Sequence, residues 1–150
     1  MAAVELARFG EKINPDVIER IKKYLMSAKG MSSQVTTILY AVSAMGDDGI
    51  EVYKALTEHG SSRMRTVSWQ RFLSLSNGWN NPKDWSIALM DRDEGVRKAV
   101  VNTLRGRIKP IDKSTMGILV ESSHQDVRKF LAESLATADS LAFEEYGFDL

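Results

Sequence analysis

Two segments of this chain repeat one another in register. The first runs Asp91-Arg92-Asp93-Glu94-Gly95-Val96-Arg97-Lys98-Ala99-Val100-Val101-Asn102-Thr103-Leu104, and the second Ser123-His124-Gln125-Asp126-Val127-Arg128-Lys129-Phe130-Leu131-Ala132-Glu133-Ser134-Leu135. In each, a Val-Arg pair is followed by apolar residues three and four positions after the Val and by a Leu eight after it. That spacing draws a single apolar stripe along a helix. One helical unit is therefore used twice.

The pattern extends upstream. Met64-Arg65 with Val67, Ser68, Trp69 and Phe72 keeps the spacing, and Val35 with Ile38, Leu39 and Val42 keeps it loosely. The anchors Val35, Met64, Val96 and Val127 lie 29, 32 and 31 residues apart, inside the period range of helical repeats. A shorter apolar segment precedes each anchor: Val17 to Met26, Ile50 to Leu56, Trp85 to Met90 and Met116 to Val120. Each anchor helix is thus read as the second of a pair, and four pairs fill the chain.

Helix signals fall where the pairs need them. All three prolines sit where a first helix begins, in Asn14-Pro15-Asp16, Asn81-Pro82-Lys83 and Lys109-Pro110-Ile111; Pro at the first helical position loses nothing by lacking an N–H, and Asn caps the orphan donors beside it. The second pair offers Asp47 or Asp48 as its cap. Gly30 and Gly60 follow first helices and Gly46 and Gly106 follow second ones, where a left-handed stop is expected. No segment alternates apolar and polar residues long enough for a strand, so the expected fold is all-α.

The third unit, Leu89 to Val100, with its Asp-rich turn before Val-Arg and small apolar residues, resembles the HEAT-like repeat proteins. The fourth is similar at Val127-Arg128 but has Ser122 and His124 where the third has Asp91 and Asp93; the second keeps Met64-Arg65, and the first has Thr36 in place of Arg. The resemblance covers about residues 14 to 138 and implies a short right-handed α-solenoid of four helix pairs. Residues 1–13 would form an N-terminal cap and residues 139–150 an acidic, aromatic tail. It also implies that Arg65, Arg97 and Arg128 bond to the Asp-rich turns, with Asp91, Asp93 and Asp126 as partners, rather than forming a phosphate-binding ladder.

Composition narrows the classes of function. At 150 residues and 43% hydrophobic content the chain fits one domain with a continuous core. Twenty basic and twenty acidic residues cancel, which argues against bulk attraction to nucleic acid or an anionic membrane. Cysteine is absent, so no disulfide or thiolate metal site is expected, which suits the cytoplasm. No run approaches the roughly 20 apolar residues of a membrane span, and residues 1–13 lack a signal-peptide core. Locally, charge is uneven: Arg97, Lys98, Arg105, Arg107, Lys109 and Lys113 face Asp112 alone, whereas no Lys or Arg follows Phe130.

Chemistry-bearing constellations are few. Asp91-x-Asp93-Glu94 fails as a calcium loop, because an EF-hand requires Gly and Glu where Val96 and Asn102 stand. No nucleophile motif or phosphate loop occurs, and His59 and His124 are read as solvent-exposed turn residues. Neither a metal nor a cofactor is expected, and the chain is read as no enzyme.

What remains is a binding surface. Five positions after each anchor stand Tyr40, Trp69, Val101 and Ala132; this register borders the concave face of a stacked array, where Tyr40 and Trp69 would receive a partner's apolar side chain, or else it is buried between helices. Trp79 lies in the Gly/Asn-rich connection Ser74 to Asn81, either as a binding residue on a loop or folded beside Trp85. The tail residues Leu141, Phe143, Tyr146 and Phe148 either cap the last repeat or form an interaction motif.

The expected function is a non-catalytic protein-binding module (an adaptor, inhibitor or assembly factor), with Tyr40, Trp69, Gln70, Trp79, Lys98 and Arg105 as contacts, no membrane partner and self-association left open. The other expectation is nucleic-acid binding, since the resemblance extends to the alkylpurine DNA glycosylases, which hold DNA in a basic groove. Here Lys98, Arg105, Arg107, Lys109 and Lys113 would meet phosphates and Trp69 or Trp79 would stack on a base.

Overall fold

The computed structural model describes residues 12–105, 107 and 113–136. Among them every regular element is helical. In chain order they are α1 (Pro15–Ser27), α2 (Ser33–Val42), α3 (Asp47–Leu56), α4 (Ser62–Leu75), a 3-10 turn (Gly78–Asn80), α5 (Pro82–Ala88), α6 (Glu94–Leu104), α7 (Lys113–Val120) and α8 (Gln125–Ala136). Each expected first and second segment is a helix, so the fold is all-α. None of the described helices is long and apolar enough to cross a membrane.

The helix starts follow from their caps. The Asn14 side chain accepts the Asp16 N–H at 2.9 Å with Pro15 opening α1, and Asn81 accepts the Lys83 N–H at 3.2 Å with Pro82 opening α5. Each satisfies a donor that the first turn leaves unpaired. The second helices share another cap. Ser32, Ser61 and Asp93 stand three residues before the anchors, and their side chains accept the anchor N–H of Val35, Met64 and Val96 at 3.1, 3.4 and 3.1 Å.

Three expectations about turns change. Neither Asp47 nor Asp48 caps α3: the cap is Gly46, and both aspartates lie in the first turn, where carboxylates oppose the positive end of the helix dipole. Gly46 adopts φ 60°, and it alone among the described glycines has a positive φ; Gly30 and Gly60 end their segments without the left-handed conformation. Gly106, Lys109 and Pro110 lie outside the described residues, as do residues 1–11 of the expected cap at 1–13 and the expected tail at 139–150.

The chain divides into two compact units, Met1–Ser76 and Asn77–Leu150. In the first, α3 packs against α1, α2 and α4 around Leu25, Val42, Val52, Tyr53, Leu56, Met64 and Leu73, all fully buried. The approach of α3 to the end of α2 is close enough that Gly49 has no room for a side chain: a Cβ there would stand 2.1 Å from the Val42 carbonyl oxygen. Tyr53 completes this junction, its hydroxyl donating to the Leu39 carbonyl and lying 2.8 Å from Ser43 Oγ. Burial pushes its phenol above the ordinary range.

In the second unit α5 packs on α6 and α7, α6 on α8, and α7 on α8. First helix thus meets first helix and second meets second. Trp85, Leu89, Val96, Leu104 and Leu119 are fully buried there. Each such aliphatic side chain removed from water contributes about 1.5–3 kcal/mol before chain entropy is subtracted.

Candidate functional site

The anchor stripe explains the recurring arginines. On α4 the buried residues are Met64, Arg65, Ser68, Trp69, Phe72 and Leu73, and on α6 they are Val96, Arg97, Val100, Val101 and Leu104. The stripe is two residues wide, so the position after the anchor is turned inward. Arg65 and Arg97 are accordingly only 5% and 6% exposed. A guanidinium so placed must find acceptors, because a buried, unpaired charge is strongly unfavourable.

The acceptors are the turns between paired helices. Arg65 Nη1 donates to the His59 carbonyl at 2.9 Å and to the Gly60 carbonyl at 3.0 Å. Arg97 Nη1 donates to the Asp91 carbonyl at 2.7 Å, and Arg128 Nη1 to the Ser122 carbonyl at 2.5 Å. In all three the acceptor lies six residues before the arginine. The side chain of that residue then accepts the N–H two residues on: His59 Nδ1 from Ser61 at 2.9 Å, Asp91 Oδ1 from Asp93 at 2.9 Å, and Ser122 Oγ from His124 at 3.2 Å. Three different residue types build one corner.

This geometry corrects the reading of the histidines. His59 is not solvent-exposed; it is 4% exposed and serves as the corner residue of the second pair. It is the counterpart of Asp91 and Ser122, not of His124. The signal was in the sequence: His59 stands five residues before its anchor, as Asp91 and Ser122 do, whereas His124 stands three before.

The aspartates divide their work more finely than the resemblance implies. Asp126 does accept from Arg97, with Oδ2 3.0 Å from Nε. Burial pushes the Asp126 carboxyl up, but the hydrogen bond and charge of Arg97 together outweigh it, and the group titrates below its ordinary value. Asp91 meets Arg97 through its backbone carbonyl. Asp93 caps α6 instead.

The expected contact residues are scattered among different environments. Tyr40 is 79% exposed, whereas Trp69, in the same register, is 6% exposed and packs edge-on against Phe72 at 6.0 Å. Val101 is buried and Ala132 exposed. Trp69 therefore belongs to the core and has no ring face to offer, because the two-residue stripe of α4 carries it inward. Gln70 beside it is half-buried. Trp79 sits in the 3-10 turn, half-buried, under the guanidinium of Arg107 at 5.1 Å.

Two of the basic candidates, Lys98 and Arg105, are engaged by acids. Lys98 Nζ lies 2.7 Å from Glu94 Oε1 and Arg105 Nη2 3.4 Å from Glu133 Oε2, all four side chains exposed. Phosphate contacts would have to displace these pairs. Lys109 and the side chain of Lys113 lie outside the described residues. No group of three or more potential metal ligands occurs among the described residues.

The first helix pair exposes two large apolar residues besides Tyr40. Tyr24 and Met26 on α1 are each about two-fifths exposed. Next to them the end of α1 and the start of α2 frame a groove of about 580 Å³ lined by Tyr24, Lys29, Met31 and Val35 among others. Ile87, Met90 and Val120 are exposed in the second unit.

Comparison of the chain with protein-family models, with curated proteins and with solved structures finds no match.

Proposed function

We propose that this chain is a non-catalytic, HEAT-like helical repeat module that binds another protein. The shared arginine corner of the second, third and fourth pairs supports a common repeat unit, as does the packing of α5 on α7 and α6 on α8. Arg65 and Arg97 are buried inside their corners, which leaves them little surface to offer a ligand. The observation that carries the reading is Tyr40, a large aromatic near the end of α2 that is left 79% exposed. Tyrosine is favoured at interface hot spots because it offers large contact area with one polar tip.

Tyr40 is the proposed contact of the first unit, and Trp79 a separate candidate in the second. A photo-crosslinking side chain at position 40 identifies the bound protein, whose affinity is then measured against wild type and Tyr40→Ala. The reading expects at least about tenfold weaker binding for Tyr40→Ala, equivalent to 1.4 kcal/mol or more, with an unchanged melting temperature. Equal affinity would sink it. Binding that instead collapses steeply with salt and requires Arg105 and Arg107 would favour nucleic acid.

A further inference from the structure

The corner between α3 and α4 differs from the other two arginine corners in one chemical respect: its side-chain acceptor is an imidazole. His59 Nδ1 takes the Ser61 N–H at 2.9 Å, where Asp91 uses a carboxylate and Ser122 a hydroxyl. A ring nitrogen accepts only while it carries no proton, so this corner holds neutral histidine with its proton on Nε2. Nε2 is itself buried, without a hydrogen-bond partner.

A second proton has no favourable place here. On Nδ1 it would turn the acceptor into a donor facing the Ser61 N–H. The resulting cation would be buried beside Arg65, whose guanidinium holds the His59 and Gly60 carbonyls. The other charged residues of α4 are the cations Arg63 and Arg71, and α2 has no charged residue. On α1, Lys22 pairs with Glu19 and with Glu51 of α3, and the remaining charged residues are Asp16, Arg20 and Lys23. On α3 itself Asp47 and Asp48 lie in the first turn and Lys54 over Phe72, while Glu58 in the turn is exposed.

We propose that His59 makes the α3–α4 corner an acid-sensitive latch, closed by neutral imidazole and opened by protonation. The unfolded chain takes up the proton freely, whereas the folded corner takes it up only by losing the Ser61 bond. The unfolded state therefore binds more protons on acidification, and stability falls with pH. The contribution of the corner is lost on acidification, and Ser122, a hydroxyl, gives its corner no such response.

The test is the melting temperature of the full chain between about pH 8 and about pH 5, for wild type, His59→Ser, His59→Asp and His124→Ser. The first two variants import the acceptors of the other corners, and the last controls for the only other histidine. Wild type and His124→Ser should lose about 2–4 °C more on acidification than either His59 variant; parallel curves for all four overturn the proposal. Nitrogen-15 spectra of the wild-type rings supply a readout that needs no variant to fold. They should show the Nε2–H tautomer of His59 at the high end, and the Ser61 amide should lose its exchange protection as the ring protonates. An Nδ1–H tautomer, or a ring that protonates with Ser61 still protected, overturns it equally.

Discussion

Arg97 Nε reaches Asp126 Oδ2 at 3.0 Å across 29 residues of sequence, and the same guanidinium holds the Asp91 carbonyl of its own pair through Nη1. One side chain thus closes the turn behind it and fastens the start of α8. Both jobs fall to a residue that helical period had placed on the buried stripe.

Removing that side chain should cost stability rather than ligand affinity. Arg97→Ala takes a donor from the Asp126 carboxylate and another from the Asp91 carbonyl, for a loss of about 1–3 kcal/mol by chemical denaturation. Arg128→Ala, at the same register but exposed, should cost less than about 1 kcal/mol. Equal losses at the two positions would show that burial is not what gives the arginine its weight.

The Asp126 carboxyl makes the same pair visible to acid. Its folded-state value is depressed below 3.8, so the stabilisation is present above that value and lost as the pH falls through the folded-state titration. Wild type should lose more melting temperature than Asp126→Asn between about pH 5 and about pH 3. This window lies below the imidazole range, so the two acid responses separate. Superimposable profiles would contradict the assignment.

Gly49→Ala should be among the most damaging small substitutions in the first unit. A methyl group 2.1 Å from the Val42 carbonyl forces α2 and α3 apart, and strain of this kind typically costs about 1–3 kcal/mol. The favourable helix propensity of Ala, worth about 1 kcal/mol, would win in an open helix. A stabilised Gly49→Ala protein in thermal melts would mean that the junction yields easily.

The paired aromatics offer a contrast on one register. Trp69→Ala should destabilise by about 3–5 kcal/mol, as deletion of a buried aromatic does, while Tyr40→Ala should stay within about 0.5 kcal/mol of wild type. Denaturation curves of the two variants decide it. A large loss at Tyr40 would move it from the surface into the core.

The helices were legible because their signals are local. Asn14 and Pro15, Asn81 and Pro82, and the Val-Arg spacing each act within one turn, and each sets a boundary found in the fold. Trp69 was harder, since periodicity tells that residues share a face but not which neighbour covers it. His59 was missed for another reason: it shares its place, five residues before the anchor, with an aspartate and a serine, so three residue types mask one position until the arginine bond to each carbonyl is seen. The Asp47 and Asp48 cap failed because Gly46 bends the chain one residue earlier, with a backbone angle that composition does not reveal.

The arginine bond at each corner ends on a main-chain oxygen, which any residue type supplies. Position 59, 91 or 122 can therefore be rewritten without disturbing the clasp itself; only the short side-chain contact two residues on depends on the choice. Such a position works like a dial set into a fixed frame. A titrating ring, a carboxylate and a hydroxyl have each been fitted to it here, and a designer could give each corner its own chemical response while leaving the helices where they are.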